Sequence, residues 1–160
     1  MTTVATTNPQ EAKQTAASEN PQEVRQVLSQ LASRATPEPA PKLNGYLLKH
    51  PEEPAIYLIL NGLRCQLPNV ETVNGLFVTN RTVHEDFHLD LITKGNDIAS
   101  GATLVKGDGG DPWYLLPGGK VKMWIKDQDI FAQYQFRAVT NVAQILVDSI
   151  PDGDVVKGRK

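Results

Sequence analysis

Residues 84–88 read HEDFH and match the pattern His-Glu-x-x-His. On one helix, histidines four residues apart share a face and can bind zinc, while the glutamate serves as general base in hydrolysis. His84, Glu85 and His88 are the residues of that chemistry here, but their flanks argue against it. Asp86 and Asp90 add charge where a zinc-binding helix is apolar, and the preceding VTNRT is turn-like. A solvated charged loop without bound metal is expected instead. Asp108 and Asp111, among the glycines of KGDGGDPW, supply too few oxygens for an EF-hand loop, and no Gly-Lys-Ser/Thr follows to cradle phosphate. No Ser/His/Asp or Cys/His arrangement stands out. A protein that is no enzyme and needs no cofactor is expected, with Cys65 a small packed side chain.

Two other groups of residues point to binding. In KVKMWI, residues 120–125, strand alternation puts Trp124 on the face of Lys120 and Lys122, opposite Val121, Met123 and Ile125. A tryptophan facing water between amines is a flat apolar plate with donors beside it, on which a sugar ring can stack. Arg64, on the comparable arm of an earlier hairpin, completes the expected ligand-binding set. The second group lies near the N-terminus. NPQE occurs at residues 8–11 and again at 20–23, and each copy reads as a helix start: Asn caps, Pro tolerates the first turn, and Glu reaches back. After the second copy, Val24, Val27, Leu28 and Leu31 recur at helical spacing. A short isolated helix is marginal in water, so this stripe is expected to dock on a partner protein or on a copy of itself.

These groups must be held by something, and the chain divides in two. Residues 1–43 lack Phe, Tyr, Trp and Cys, are rich in Ala, Thr, Gln, Ser and Pro, and end in the stiff TPEPAP. They read as a low-complexity, partly disordered tail with short helices. From residue 44 the sequence repeats itself. Lys49, Lys106 and Lys157 head similar short strands, and Tyr57 and Tyr114 each lie eight residues past the lysine, with Gly62 and Gly119 five residues further. Each full unit reads as a strand, a loop, a hairpin turning at Asn61-Gly62 or Gly118-Gly119, and a short helix from Asn69 or Asp127. The expected layout is repeat 1 over 44–100, repeat 2 over 101–152 and a terminal strand over 153–158. In it, Val155 and Val156 begin an unfinished third copy that pairs into the sheet.

This pattern resembles a short repeat of bacterial surface and secreted proteins: a lysine-headed strand, a Pro-x-[Ile/Trp]-Tyr arm, a glycine turn, a basic residue on the return arm, and an Ile-Pro-x-Gly exit. The matching stretches are LLKHPEEPAIYLILNGLRCQLP with Arg64, LVKGDGGDPWYLLPGGKVKMWI with Lys120 and Lys122, and SIPDG at 149–153. The first unit reads DIASG at its expected exit, with Ala99 in place of proline. The resemblance implies a lectin-like role in cell-wall, glycan or surface display without catalysis of its own.

The totals narrow the field further. A net charge of −2 gives no general pull toward nucleic acid or anionic membrane. No apolar run approaches the ~18 residues of a membrane span, and MTTVATTNPQEAKQ lacks the parts of a signal peptide, so synthesis in the cytoplasm is expected. A single cysteine cannot make an internal disulfide. The chain is thus expected to be a β-rich α+β protein of two tandem hairpin–helix repeats forming one domain. Its expected function is binding a glycan or surface polymer. The alternative is a protein-interaction or assembly component docking through its N-terminal helix. A zinc hydrolase using His84-Glu85-x-x-His88 comes third.

Overall fold

A computed structural model describes residues 20–34, 36–110, 112–118 and 120–159. The first NPQE copy lies outside them. The fold is α+β, with two four-stranded sheets, each of three antiparallel strands and one parallel edge strand. The first sheet contains β1 (Leu47–Lys49), β2 (Ile56–Leu60), β3 (Leu63–Leu67) and β4 (Val83–Glu85) in the order β3-β2-β1-β4. The second contains β5 (Thr103–Gly107), β6 (Trp113–Leu116), β7 (Met123–Ile125) and β8 (Thr140–Val142) in the order β7-β6-β5-β8.

The local chemistry explains most of these elements. Asn61 and Gly62 both take positive φ, 53° and 84°, as a two-residue turn twisted to match its strands requires. Helix α2 (Val70–Leu76) starts where the Asn69 side chain accepts from the Thr72 N–H. In α3 (Gln128–Gln133), Asp127 caps the Ile130 N–H in the same way. The pairings repeat at fixed spacing. Leu47 faces Leu58 and Leu48 faces Tyr57; 57 residues on, Leu104 faces Leu115 and Val105 faces Tyr114. On the return arms the spacing is 58, because Leu58 faces Cys65 whereas Leu115 faces Met123. The second turn is therefore one residue longer. Trp124 faces Tyr114 as Gln66 faces Tyr57, so its counterpart is Gln66.

Alternation along the strands sorts side chains onto two faces. Leu47, Leu58, Cys65 and Leu67 from the first sheet join Leu104, Leu115, Met123 and Ile125 from the second in one buried cluster between the sheets. The other face of the first sheet presents Leu48, Ile59 and Tyr57 to a second cluster, covered by α1 (Pro21–Arg34). Val24, Leu28 and Leu31 of α1 are buried there, and Val27 packs at its edge. The Asn20 N–H, at the head of that helix, donates to the Tyr46 hydroxyl at 2.8 Å. Ala40 and Leu43 are buried in the same layer. Two expectations change as a result. Residues 20–34 and 36–43 belong to the packed structure and not to a tail, and the apolar stripe of α1 is engaged with its own sheet, not presented to a partner. A narrow stripe suffices because the sheet surface beneath it supplies the rest of the apolar area.

The exits of the units are also clearer. Residues 93–98 run beside β3, with Arg64 N–H donating to Thr93 O, Gly95 N–H to Arg64 O and Ile98 N–H to Gln66 O. Residues 151–156 run beside β7 through Lys122 N–H to Pro151 O, Gly153 N–H to Lys122 O and Val156 N–H to Trp124 O. Val156 is fully buried and bridges Ile125, so of the two terminal valines this one pairs into the sheet; Val155 forms no bridge, and the strand expected over 153–158 is reduced to that single pairing. Val156 closes the second unit as Ile98 closes the first; it does not open a third. The counterpart of Ile150-Pro151-Asp152-Gly153 is Ile92-Thr93-Lys94-Gly95, and not the residues around Ala99.

Truncating the buried anchor of α1, Leu28→Ala, should lower stability by about 2–4 kcal/mol in urea denaturation, the range for a large-to-small change in a packed core. An unchanged midpoint would mean that α1 does not rest on the first sheet.

Candidate functional site

Trp124 sits on β7 between two buried neighbours, Met123 and Ile125, which fixes its side chain on the outer face of the second sheet. It is 40% exposed. It stands at the edge of a groove of about 680 Å3 that runs between α3 and the C-terminal segment. The groove carries Lys126, Asp127, Asp129, Gln133 and Lys157, over apolar walls from Ile130 and Val156. The Lys126 ammonium lies 6.0 Å from the Trp124 ring centre. At the far end, Arg159 spans to the first unit, its guanidinium 4.8 Å from the Tyr46 ring. The result is an aromatic plate, two carboxylates, an amide and two ammonium groups around one depression.

The other expected ligand residues do not join it. Lys122 is on the same face but only 8% exposed. Its Nζ donates to the Ile150 carbonyl at 2.6 Å, pairs with Asp152 at 3.1 Å and lies 5.4 Å from the Tyr114 ring. Arg64 is its counterpart: its Nε donates to the Ile92 carbonyl at 2.8 Å, and its guanidinium lies 5.3 Å from the Tyr57 ring. Each basic residue thus ties the exit segment of its unit to the hairpin across the ring of that unit's tyrosine. They act as latches over Tyr57 and Tyr114, although only Tyr57 also packs against the cluster under α1. Lys120 is exposed and lines a different cavity, of about 510 Å3, together with Cys65. Burial raises the Cys65 thiol from 9.0 to about 11, which keeps it protonated and unreactive at neutral pH.

The histidine motif does not lie on one helix. His84 lies on β4, paired with Leu48, and its ring is 5.3 Å from Tyr46. His88 is in the 3-10 turn Phe87–Leu91 with its Nδ1 3.1 Å from Asp86 Oδ1. A strand followed by a turn does not give the shared face that a helix gives to residues four apart. Among the described residues no three His, Cys, Asp or Glu side chains gather in a way that could hold a metal ion. Asp108 accepts from the Gln144 N–H at 3.1 Å, capping helix α4 (Gln144–Asp148), and Asp111 lies outside the described residues.

Lys126, Asp129, Gln133 and Lys157 are absent from the set expected from sequence. Their gathering depends on the C-terminal segment passing α3, which no local pattern encodes. The latches did have a signal, a cation seven or eight residues after each repeat tyrosine. No helix among the described residues is long and apolar enough to cross a membrane. Comparison with protein-family models, curated proteins and solved structures finds no match to this chain.

Removing either latch, by Arg64→Met or Lys122→Met, should lower stability by about 1–3 kcal/mol, the worth of a charge-assisted bond to a carbonyl. Lys122→Arg should restore most of it, and urea denaturation of the four proteins gives the comparison. Wild-type stability in both Met variants would show that the latches hold nothing. The native Cys65 alkylation rate should still climb with pH at about pH 10, where an ordinary thiol has already levelled off. A plateau near pH 9 would contradict the burial of that thiol.

Proposed function

We propose that the protein is a non-enzymatic binding module that takes a glycan or similar hydroxyl-rich surface polymer in the groove beside Trp124. The observation that carries this reading is the exposure of Trp124 at the edge of a depression rimmed by Asp127, Asp129 and Gln133. Sugar recognition needs an aromatic plate for the apolar face of the ring and acceptors or donors for its hydroxyls. Carboxylates and an amide suit those hydroxyls better than a purely cationic rim would. The groove volume falls in the range of ordinary small-ligand sites, about 300–1,000 Å3. The resemblance of the repeat to those of bacterial surface proteins agrees with such a ligand.

A second reading, an assembly component, is favoured by a different observation. The outer face of the first sheet is closed by the long helix α1, whereas the second has the short helix α4 against β5, with Val147 buried beneath it. Helix α4, at the margin of that face, exposes Ile145 by 76% and Leu146 by 57%. Exposed aliphatic pairs of this kind often mark contact surfaces.

A glycan array followed by titration calorimetry decides between them. Trp124→Ala should abolish binding and Asp129→Asn should weaken it by roughly three- to tenfold, about 1 kcal/mol for one hydroxyl-to-carboxylate bond. Both variants should unfold at the wild-type temperature. Binding that survives Trp124→Ala, or no glycan bound at all, would remove the first reading. A concentration-dependent increase in mass, lost in Ile145→Glu, would support the second.

A further inference from the structure

The two units meet along a seam whose ends differ. At one end Phe77 and Phe136 form an antiparallel bridge, with Val78 N–H donating to Gln135 O at 2.9 Å and Arg137 N–H to Leu76 O at 2.8 Å. Their rings stack 5.6 Å apart, and Tyr134 stacks on Phe136 at 5.2 Å. That end is sealed. The other end, between the two hairpin turns, is the cavity of about 510 Å3. Its lining is contributed in equivalent pairs: Leu60 with Pro117, Leu63 with Val121, and Cys65 with Met123. Leu60, Cys65 and Met123 are members of the central buried cluster, so the floor is the core itself reaching the surface.

A gap of this size over core side chains leaves apolar area and dispersion contacts unused. Its mouth, by contrast, is charged. Lys94 and Asp97 neutralise each other at 2.9 Å, which leaves Lys120 and Asp154 at the rim. Lys120 stands in the turn that is one residue longer than its counterpart, so the lengthening of that hairpin brings a cation to the mouth. Its ammonium is carried on a four-carbon stem that can sweep the opening, whereas the Asp154 carboxylate stays close to its backbone.

We propose that this cavity binds a small amphiphile, with its apolar body on the floor between the paired hairpin residues and an anionic head at Lys120. The site is separate from the groove of Trp124, and neither proposal depends on the other. A volume of this size takes an aromatic ring system or a medium-length aliphatic chain. The anchor is the apolar floor, and the ion pair at the rim selects the sign of the head group.

The test is a fluorescence titration of the full chain with 1-anilinonaphthalene-8-sulfonate, and displacement of that dye by decanoate. Saturable binding of one dye per chain is expected, with decanoate competing. Gly118 is a lining residue at which a Cβ would meet only the Ala99 Cβ, at 3.8 Å, so Gly118→Phe sets a bulky ring at the cavity wall without disturbing the core. That variant should lose dye binding while keeping a cooperative unfolding transition. Lys120→Glu should weaken decanoate by roughly two- to fivefold, the size of a rim-exposed ion pair. Trp124→Ala should leave both ligands bound as in wild type. Absence of saturable binding, or binding indifferent to Gly118→Phe, would overturn the site. Tighter competition by decyltrimethylammonium than by decanoate would overturn the head-group assignment.

Discussion

Neither sheet has a second layer of its own to cover its inner face, and each therefore depends on the other. Leu47, Leu58, Cys65 and Leu67 on one side meet Leu104, Leu115, Met123 and Ile125 on the other in a single cluster. Burying a leucine of this kind is worth about 1.5–3 kcal/mol, and a lone three- or four-stranded sheet has little else to offset its chain entropy. The mutual burial also fixes register. A slip of one residue in β2 would turn Leu58 and Leu60 outward and bring Tyr57 and Ile59 in. The exit segments, the caps of α2 and α3 and the stacked aromatics of the seam are all placed relative to strands held in this way.

Much of the architecture was legible because it is written locally. Asn61-Gly62 specifies its turn through positive φ, and Asn69 and Asp127 specify helix starts through capping; lysine and tyrosine at equal spacing announced the two units. What was not legible depends on comparisons over distance. An apolar stripe on α1 looks the same whether it faces its own sheet or another molecule. The exit of the first unit was hidden because it lacks proline. In both units the exit is tied to the hairpin through the N–H groups of residues 64 and 95, or 122 and 153, but the Thr93 N–H also donates to the Glu38 carbonyl at 3.0 Å. Proline is therefore compatible with position 151, whereas at position 93 it would forfeit the bond to Glu38. The extra residue of the second turn moved Trp124 by one position against any ungapped alignment.

The basic residues illustrate how a sequence pattern can be right about position and silent about role. Arg64 and Lys122 recur because each unit must fasten an exit segment to its hairpin, and a cation does so by reaching a carbonyl across the face of a tyrosine. With Ile150 O and Asp152 on Lys122, little of that ammonium is left for a ligand. HEDFH shows the same thing for histidine: spacing of four has chemical meaning on a helix, and β4 removes that meaning.

Two units built on the same constraint offer an internal control on where function resides. Positions that face the shared core have stayed apolar in both, as Leu47 with Leu104 and Leu58 with Leu115 show. The outer faces obey no such constraint, and they differ. Where the first unit has Tyr46, which holds the head of α1, the second has Thr103, whose short side chain offers no such reach. Where the first has Gln66, the second has Trp124 at a groove. The longer turn adds one more departure, at Lys120. Packing of the shared core explains none of these three differences, and the last two coincide with the two depressions proposed above as ligand sites. A scaffold that needed only to fold would have no physical reason to put its widest aromatic surface in water, or to leave the end of its seam open beneath a cation.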